Sequence, residues 1–294
     1  MSNAYIFPFR VRFQECDAYG IVDSIHYLYY MQETFMTHAA ELGYTFESEL
    51  ARGRGWLIRE TEIRYLRPLL YGDTVEVKMQ MGELRRASLI REYEFNLQGS
   101  KELVAQARSE FVCVDIDSQR PIPIPEDVIE VFFPDVMSGE YLPRRRFPKA
   151  PPPPKQVFRI WEKVEWRDLD MQQHVNNCTY MSYMQTAALE SSAEIGWPVQ
   201  EVLKEFVVAM SFSHVQYLRQ AAIGDELEIT SYLSDIRSSS FSRHDAISLA
   251  EGGTILTRGH SRWVWLDAGS LKPHRIPAEF LADCKEYIAQ PDAG

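Results

Sequence analysis

The chain has 294 residues, of which 45% are hydrophobic and 25% charged, so each of two ordinary domains can bury a core without metal or disulfide support. Its net charge of -11 argues against a nucleic-acid partner, because nucleic-acid-binding domains present basic surfaces. No stretch approaches the roughly 18 consecutive apolar residues of a membrane span, and the start lacks a signal-peptide pattern, which predicts a cytoplasmic protein without a membrane partner. The four cysteines have no paired metal spacing, so no metal is predicted.

One motif occurs in both halves of the chain. The string RYLRPLLYGD returns as QYLRQAAIGD, so that Tyr65 reappears as Tyr217, 152 positions later. Asp17 and Asp170 are separated by 153 positions. A nearly constant offset indicates two copies of one domain, because solenoid repeats have periods of only about 20 to 50 residues.

The repeat divides the chain into two domains and a connector. The first domain is predicted over 1–133 and the second over 157–294. The linker at 134–156 has no periodic apolar pattern, and its four consecutive prolines at 151–154 favour an extended spacer. The chain is therefore interpreted as a fused pair, and whether this pair forms a homo-oligomer stays open.

The predicted elements follow one order in each copy. A short strand, at about 8–14 and again at 158–166, leads through a turn into a long helix. Apolar residues at helical spacing give this helix one buried face, and Ser24 and Asn177 are the predicted caps. Four strands follow in each copy, at 57–66, 73–84, 88–98 and 102–116, and at 206–218, 225–236, 240–250 and 254–267.

Because only strands are expected after the long helix, each copy reads as one helix and an antiparallel meander. The helix is the one element available to cover a face of the five-stranded sheet, and a sheet wrapped around a central helix is the hotdog arrangement. A second sheet would protect the exposed edge strand, which is a physical reason for two copies. The predicted fold is an α+β double hotdog, with two antiparallel sheets each wrapped around one long helix.

Two strings at the helix starts carry a family resemblance. RFQECDAYGIVDSIHYLYYMQE resembles the opening of the acyl-CoA thioesterases typified by 4-hydroxybenzoyl-CoA thioesterase, which carry an aspartate in a D-x-x-G-I-V turn before the hotdog helix. WRDLDMQQHVNNCTYMSYM resembles the D-L-D-x-N-Q-H-V-N-N segment of the fatty acyl-ACP thioesterases, which are double hotdogs. The resemblance implies a thioester hydrolase whose substrate partner is an acyl-CoA or an acyl-ACP.

The residues of the second copy fit this chemistry. Asp170 is expected to act as general base or nucleophile, and His174 and Gln172 to orient water or substrate. Asn176, together with the positive end of the helix, is expected to polarise the carbonyl. The first copy keeps the acid, Asp17, but lacks the imidazole, which predicts a second and weaker site.

Each assignment has a simpler alternative. Asp17 and Asp170 could merely accept backbone hydrogen bonds in their turns or cap the helix. Asn177, Arg67 and Arg219 are predicted to bind substrate, the arginines through a carrier phosphate. The alternative for Arg67 and Arg219 is pairing with the nearby acids at 73 and 225.

Other enzyme signatures are absent from the sequence. It has no P-loop, no dinucleotide-binding glycine motif, no G-x-S-x-G elbow and no H-E-x-x-H, so no cofactor is predicted. A non-catalytic acyl-carrier-binding module and a hotdog dehydratase are the rival hypotheses. The presence of both acids disfavours the first rival, and the loop composition disfavours the second. Acyl chain length, the choice of carrier and the number of active copies stay open.

Overall fold

A computed structural model describes residues 4–100, 102–134 and 146–290. The chain divides into two compact units, Met1–Phe147 and Pro148–Gly294. Much of the predicted linker, residues 135–145, lies outside the described residues. The linker boundaries at 134 and 156 therefore stay a prediction.

Both units contain a long helix of 18 residues and five strands. The described elements of the first unit are β1 (Tyr5–Arg10), α1 (Ser24–Glu41), α2 (Phe46–Ala51), β2 (Arg54–Tyr65), β3 (Thr74–Leu84), β4 (Ser88–Leu97), β5 (Leu103–Asp115) and α3 (Glu126–Phe132). Those of the second are β6 (Phe158–Lys163), α4 (Asn177–Glu194), α5 (Val199–Val202), β7 (Phe206–Tyr217), β8 (Glu226–Ser234), β9 (Ser240–Leu249), β10 (Ile255–Asp267) and α6 (Ala278–Asp283).

The strands of each unit pair in the same antiparallel order. In the first unit the order is β1-β3-β4-β5-β2, and in the second it is β6-β8-β9-β10-β7. The long helices bury apolar faces that include Tyr27 and Met31 in α1 and Tyr180 and Met184 in α4. The predicted arrangement, an antiparallel sheet around one long helix in each copy, is confirmed.

The first strand of each copy ends earlier than its pattern suggests. β1 occupies Tyr5–Arg10 instead of 8–14, because Phe13–Glu15 form a 3-10 turn. β6 ends at Lys163, since Trp166–Asp168 form the equivalent turn. The tight turn takes these residues out of the sheet and leads the chain towards the candidate loop.

The expectation that only strands follow the long helix is wrong. Short helices α3 and α6 come after the last strand of their units and begin behind Pro125 and Pro277. Val128 and Phe132 of α3 pack into a buried cluster with Leu89 of the sheet. Phe280 of α6 likewise lies in a buried cluster, so the long helix of each unit shares the covering of the core with a shorter helix. For α3, the apolar spacing over 128–132 was the overlooked signal.

The caps of the long helices lie one residue before the predicted ones. Asp23, not Ser24, accepts the backbone N–H of Ile25 at 3.0 Å. Asn176, not Asn177, accepts the backbone N–H of Cys178 at 2.9 Å. A cap needs an extended backbone, and Ser24 and Asn177 are already the first helical residues.

The repeated motif ties the sheet to the helix start. The hydroxyl of Tyr65 donates to the carbonyl of Ser24 at 3.2 Å, and that of Tyr217 donates to the carbonyl of Asn177 at 3.1 Å. The motif glycines at 72 and 224 have φ angles of 87° and 86°, which a residue without Cβ adopts readily. The motif thus positions the N-terminus of each long helix.

Candidate active site

The loop before α4 is a closed turn. An isolated bridge joins Leu169 to Val175, and inside it the backbone N–H of Asp170 donates to the carbonyl of His174 at 3.0 Å. The helix begins two residues after the bridge, at Asn177. The loop therefore places Asp170 and His174 opposite each other at the entrance to the helix.

The Asp170 side chain is held by the loop backbone. Its Oδ1 accepts the backbone N–H of Gln172 at 2.8 Å. Burial raises the pKa of the Asp170 carboxyl above its ordinary value, while the Gln172 N–H and the nearby His174 act in the lowering direction. A carboxylate with raised proton affinity is a stronger general base, so burial favours the chemistry predicted for Asp170.

The other loop side chains differ in their surroundings. His174 is half-buried, and its Nδ1 is enclosed without a hydrogen-bond partner among the described residues. The Gln172 side chain is exposed. Gln173 has a φ of 62°, a backbone conformation that L-residues other than glycine, asparagine and aspartate rarely adopt. This strained residue lies between the predicted Gln172 and His174, within the turn that holds Asp170.

Asn176 and Asn177 both belong to the start of α4. The amide oxygen of Asn176 caps the helix, so polarisation of a carbonyl by this residue would use its NH2 group. The backbone carbonyl of Asn177 is engaged by Tyr217. The sequence-predicted roles of these two asparagines stay predictions.

The loop before α1 repeats the same backbone. A bridge joins Cys16 to Val22, and the N–H of Asp17 donates to the carbonyl of Ile21 at 2.8 Å. Asp17 Oδ1 accepts the N–H of Tyr19 at 2.8 Å. Burial again raises the pKa of Asp17, against the lowering effect of backbone N–H groups. The aspartates are therefore equivalent in backbone setting, and neither caps its helix.

Two residues near the first loop were missed by the sequence reasoning. The Glu15 carboxylate is buried and accepts the hydroxyl of Tyr30 at 2.7 Å, which links the 3-10 turn to α1. His26, in the first turn of α1, has a pKa lowered mainly by burial, with the charges of Glu15 and Asp23 acting upward. The repeat was the available signal for Glu15, since Asp168 is its counterpart 153 positions later.

The two predicted substrate-binding arginines differ. Arg67 forms an ion pair with Glu102. Asp73, the partner considered for it, instead accepts the backbone N–H of Leu70 at 2.8 Å. Arg67 therefore pairs with an acid of its own unit, as the alternative interpretation predicts, but the partner is Glu102 and not Asp73.

Arg219 is exposed, and no ion pair of its side chain is found within the described ranges. Asp225 accepts the N–H of Ala222 at 2.9 Å, as its counterpart does in the first unit. Thr254 stands 152 positions after Glu102, so the second copy lacks the acid that occupies Arg67. The guanidinium of Arg219 is therefore available to a ligand.

Residues 11–132 and 164–283 each match the model of one protein family, the thioesterase-like superfamily. The chain belongs to this superfamily. The match falls once on each copy, which confirms the internal repeat and the family resemblance seen in the two loop strings.

Individual relatives are distant in sequence. The chain is 23% identical over 133 residues to the acyl-CoA thioesterase YbgC of Haemophilus influenzae, covering 45% of this chain and 96% of that protein. It is 22% identical over 251 residues to the chloroplastic acyl-[acyl-carrier-protein] hydrolase FATB2 of Cuphea viscosissima, covering 82% of this chain but only 58% of that protein's length. These relatives are thioester hydrolases, the class predicted from the sequence.

A solved structure supports the fold. The 12:0-ACP thioesterase from Umbellularia californica aligns with a TM-score of 0.69 at 21% identity, over 89% of this chain and 94% of that one. Over the described parts of the present chain, no group of three His, Cys, Asp or Glu side chains is arranged to hold a metal ion. Within the same parts, no helix is long and apolar enough to cross a membrane.

Proposed function

We propose that this protein hydrolyses acyl thioesters carried by CoA or acyl carrier protein, with Asp170 as the main catalytic carboxylate. The observation that carries the proposal is the closed loop before α4, where a half-buried carboxylate of raised pKa lies across from His174. The family membership and the reactions of the named relatives support the same reaction class.

In the general-base route, Asp170 takes a proton from water while the oxygen of that water attacks the thioester carbonyl carbon. The C–S bond then breaks, the acid is released, and the proton passes to the departing thiolate. In the nucleophilic route the carboxylate itself attacks the carbonyl carbon, the C–S bond breaks with release of the thiolate, and water hydrolyses the resulting anhydride to the free acid and the Asp170 carboxylate. Both routes start from the ionised carboxylate of Asp170.

The surrounding groups stabilise the developing charge. The N-terminus of α4 carries a partial positive charge and is the element that faces the carbonyl oxygen as it becomes an oxyanion. The NH2 group of Asn176 adds a donor at the same place. His174 and Gln172 orient the water or the substrate, and Asn177 contacts the substrate beside them.

The carrier phosphate binds at Arg219 in this proposal. The side chain is exposed and has no acidic partner among the described residues, whereas Arg67 is held by Glu102. A guanidinium is well suited to a phosphate because its N–H groups can form paired charge-assisted bonds. Arg67 is therefore the weaker contact of the two.

Asp17 serves a second and weaker site, since Ile21 stands where the second loop has His174. A cytoplasmic location belongs to the same proposal. The oligomeric state of the fused pair and the length of the preferred acyl chain stay open.

The test is a hydrolysis assay over acyl-CoAs and acyl-ACPs of graded chain length, with the oxygen ester of the same acyl group as control. We expect turnover of thioesters and little turnover of oxygen esters, because thiolate is the better leaving group and the proposed catalytic group is a carboxylate. Binding of acyl carriers without any hydrolysis would support the non-catalytic module instead. Equal rates on both esters would contradict a carboxylate-based thioesterase.

A further inference from the structure

Each unit buries an arginine at the same place between its sheet and its long helix. Arg91 lies in β4 and Arg243 in β9, 152 positions apart. Their exposed fractions are only 3% and 5%. A buried cation is costly unless it is paired and hydrogen-bonded, so the partners of these two residues can be compared directly.

Arg243 has both ionic and hydrogen-bond partners within its own unit. Its Nε donates to Asp245 at 3.2 Å, and its Nη2 donates to the hydroxyl of Ser191 at 2.9 Å and the carbonyl of Ala187 at 3.1 Å. Asp245 also accepts the hydroxyl of Ser231 at 2.6 Å. The charge of Arg243 is thus neutralised by a carboxylate within the protein.

Among the described residues, Arg91 has no such carboxylate partner. Tyr93 stands at the position of Asp245, and the described residues include no acid paired with Arg91. The guanidinium carbon lies 3.4 Å and 4.4 Å from the ring centroids of Phe35 and Phe111, which cover it but accept no conventional hydrogen bond. Its Nε and Nη1 are enclosed without hydrogen-bond partners in the described structure.

Two further buried polar atoms lie in the same region. The Tyr93 hydroxyl and His38 Nδ1 are enclosed without hydrogen-bond partners among the described residues. The His38 ring packs edge-on against Phe132, which belongs to the same buried cluster as Phe111. Burial lowers the pKa of His38 and the charge of Arg91 lowers it further, while Glu41 acts in the raising direction. Arg91 and Tyr93, which interact with each other, and the nearby His38 are therefore buried polar groups with no carboxylate paired to the guanidinium within the described residues.

The guanidinium is a cation at neutral pH. Burial lowers the pKa of Arg91 to about 9, which still leaves it protonated near pH 7. Arginine binds carboxylates through two parallel hydrogen bonds, and this is the group that Asp245 supplies in the second unit. A carboxylate, with its two acceptor oxygens, is therefore the group whose chemistry matches this guanidinium.

We propose that the interior of the first unit binds a carboxylate of an acyl chain, with Arg91 as the principal contact and Tyr93 and His38 as additional donors. The carboxylate has two sources, a free fatty acid or the far-end carboxylate of a dicarboxylic acyl thioester. The inference goes beyond the proposed hydrolysis, because binding of free acids can be measured without turnover.

Binding is tested on the full chain by titration calorimetry and thermal unfolding, with octanoate as probe and octanol as its neutral control. If the source is the free acid, octanoate binds and raises the unfolding temperature, while octanol has at least ~10-fold weaker affinity because it has no charge for Arg91. If the source is the far-end carboxylate, suberyl-CoA is preferred at least ~10-fold over octanoyl-CoA in binding. The inference is overturned if neither preference is found.

Two variants test whether Arg91 causes the preference for a carboxylate. Arg91→Met removes the unpaired charge at similar volume, so we expect unfolding at the same or a higher temperature and loss of the carboxylate preference. Tyr93→Asp copies the internal partner of the second unit and should abolish the preference by occupying Arg91. A lower unfolding temperature for Arg91→Met with binding intact would show that the arginine is a structural cation held by its aromatic neighbours.

Discussion

The loops before α1 and α4 are closed by equivalent hydrogen bonds, of 2.8 Å from Asp17 to Ile21 and of 3.0 Å from Asp170 to His174. In both, burial raises the pKa of the aspartate. The side chain across the loop is aliphatic in the first unit and an imidazole in the second. The two units therefore hold an acid in the same backbone setting and differ in the side chain that lies across the loop from it.

The largest expected effect comes from removing the acids. Asp170→Asn should lower kcat by at least ~100-fold, the lower end of a general-base contribution, while Asp17→Asn should have a smaller effect. Both asparagines can still accept the loop N–H groups, so the folds should be retained. Kinetics and thermal unfolding of the two variants are measured side by side. A greater loss from Asp17→Asn, with both proteins folded, would move the main chemistry to the first unit.

The pH dependence of kcat/KM tests whether the Asp170 carboxylate and His174 act together. Because the base must be ionised, kcat/KM should fall about tenfold per pH unit below the pKa of Asp170, and the midpoint should lie above the ordinary aspartate value of ~3.9. Since His174 acts to lower this pKa, His174→Ile should move the midpoint to higher pH. Rate measurements from mild acid to neutrality, with stability followed in parallel, check the direction. A midpoint that does not move in His174→Ile would show that the imidazole has no effect on the pKa of Asp170.

Exchanging the distinguishing side chain is the most direct test of the comparison. His174→Ile makes the second loop resemble the first and should lower kcat by ~10-fold or more, on the scale of a lost catalytic hydrogen bond to a charged group. The matched variant Ile21→His should not lower turnover. Steady-state kinetics on one acyl-CoA measures both. Unchanged turnover in His174→Ile would remove the imidazole from the mechanism.

Arg67 and Arg219, which are both exposed, are expected to differ in their contribution to substrate binding. Arg219→Ala should raise KM by ~3-fold to 10-fold with little change in kcat, because it removes a phosphate contact made equally in the ground and transition states. Arg67→Ala should leave KM nearly unchanged, since Glu102 already occupies that guanidinium. Salt titration of KM is the second readout, as the Arg219 contribution should weaken with ionic strength. Equal effects of the two variants would contradict this assignment.

The smallest expected effect concerns the loop backbone. Gln173 has a φ of 62°, whereas the equivalent position in the first unit is Gly20 with a φ of 77°. Gln173→Gly should raise the free energy of unfolding by up to ~1 kcal/mol, because glycine adopts this conformation without Cβ strain. Gly20→Gln should lower it by a similar amount. Denaturant unfolding measures both, and destabilisation by Gln173→Gly would mean that the glutamine side chain itself stabilises the turn.

Local patterns in the sequence were sufficient for much of the architecture. The constant offset between Tyr65 and Tyr217 revealed the two copies, and helical and alternating apolar spacing located the long helices and the strands. The turn aspartates could be identified because they precede a helix in both copies. These features depend on near neighbours in the chain or on repetition, and a single sequence displays both.

Tertiary structure decided the partners of individual polar side chains. Arg67 pairs with Glu102 because β2 ends beside the start of β5, and Arg91 of β4 is buried because Phe35 of α1 packs over its guanidinium. Neither contact follows from spacing along the chain. The fold class and the positions of the candidate acids follow from local and repeated sequence patterns. The proton affinity of these acids, and the lack of a carboxylate beside Arg91 within the described residues, depend on burial and on residues brought together only by folding.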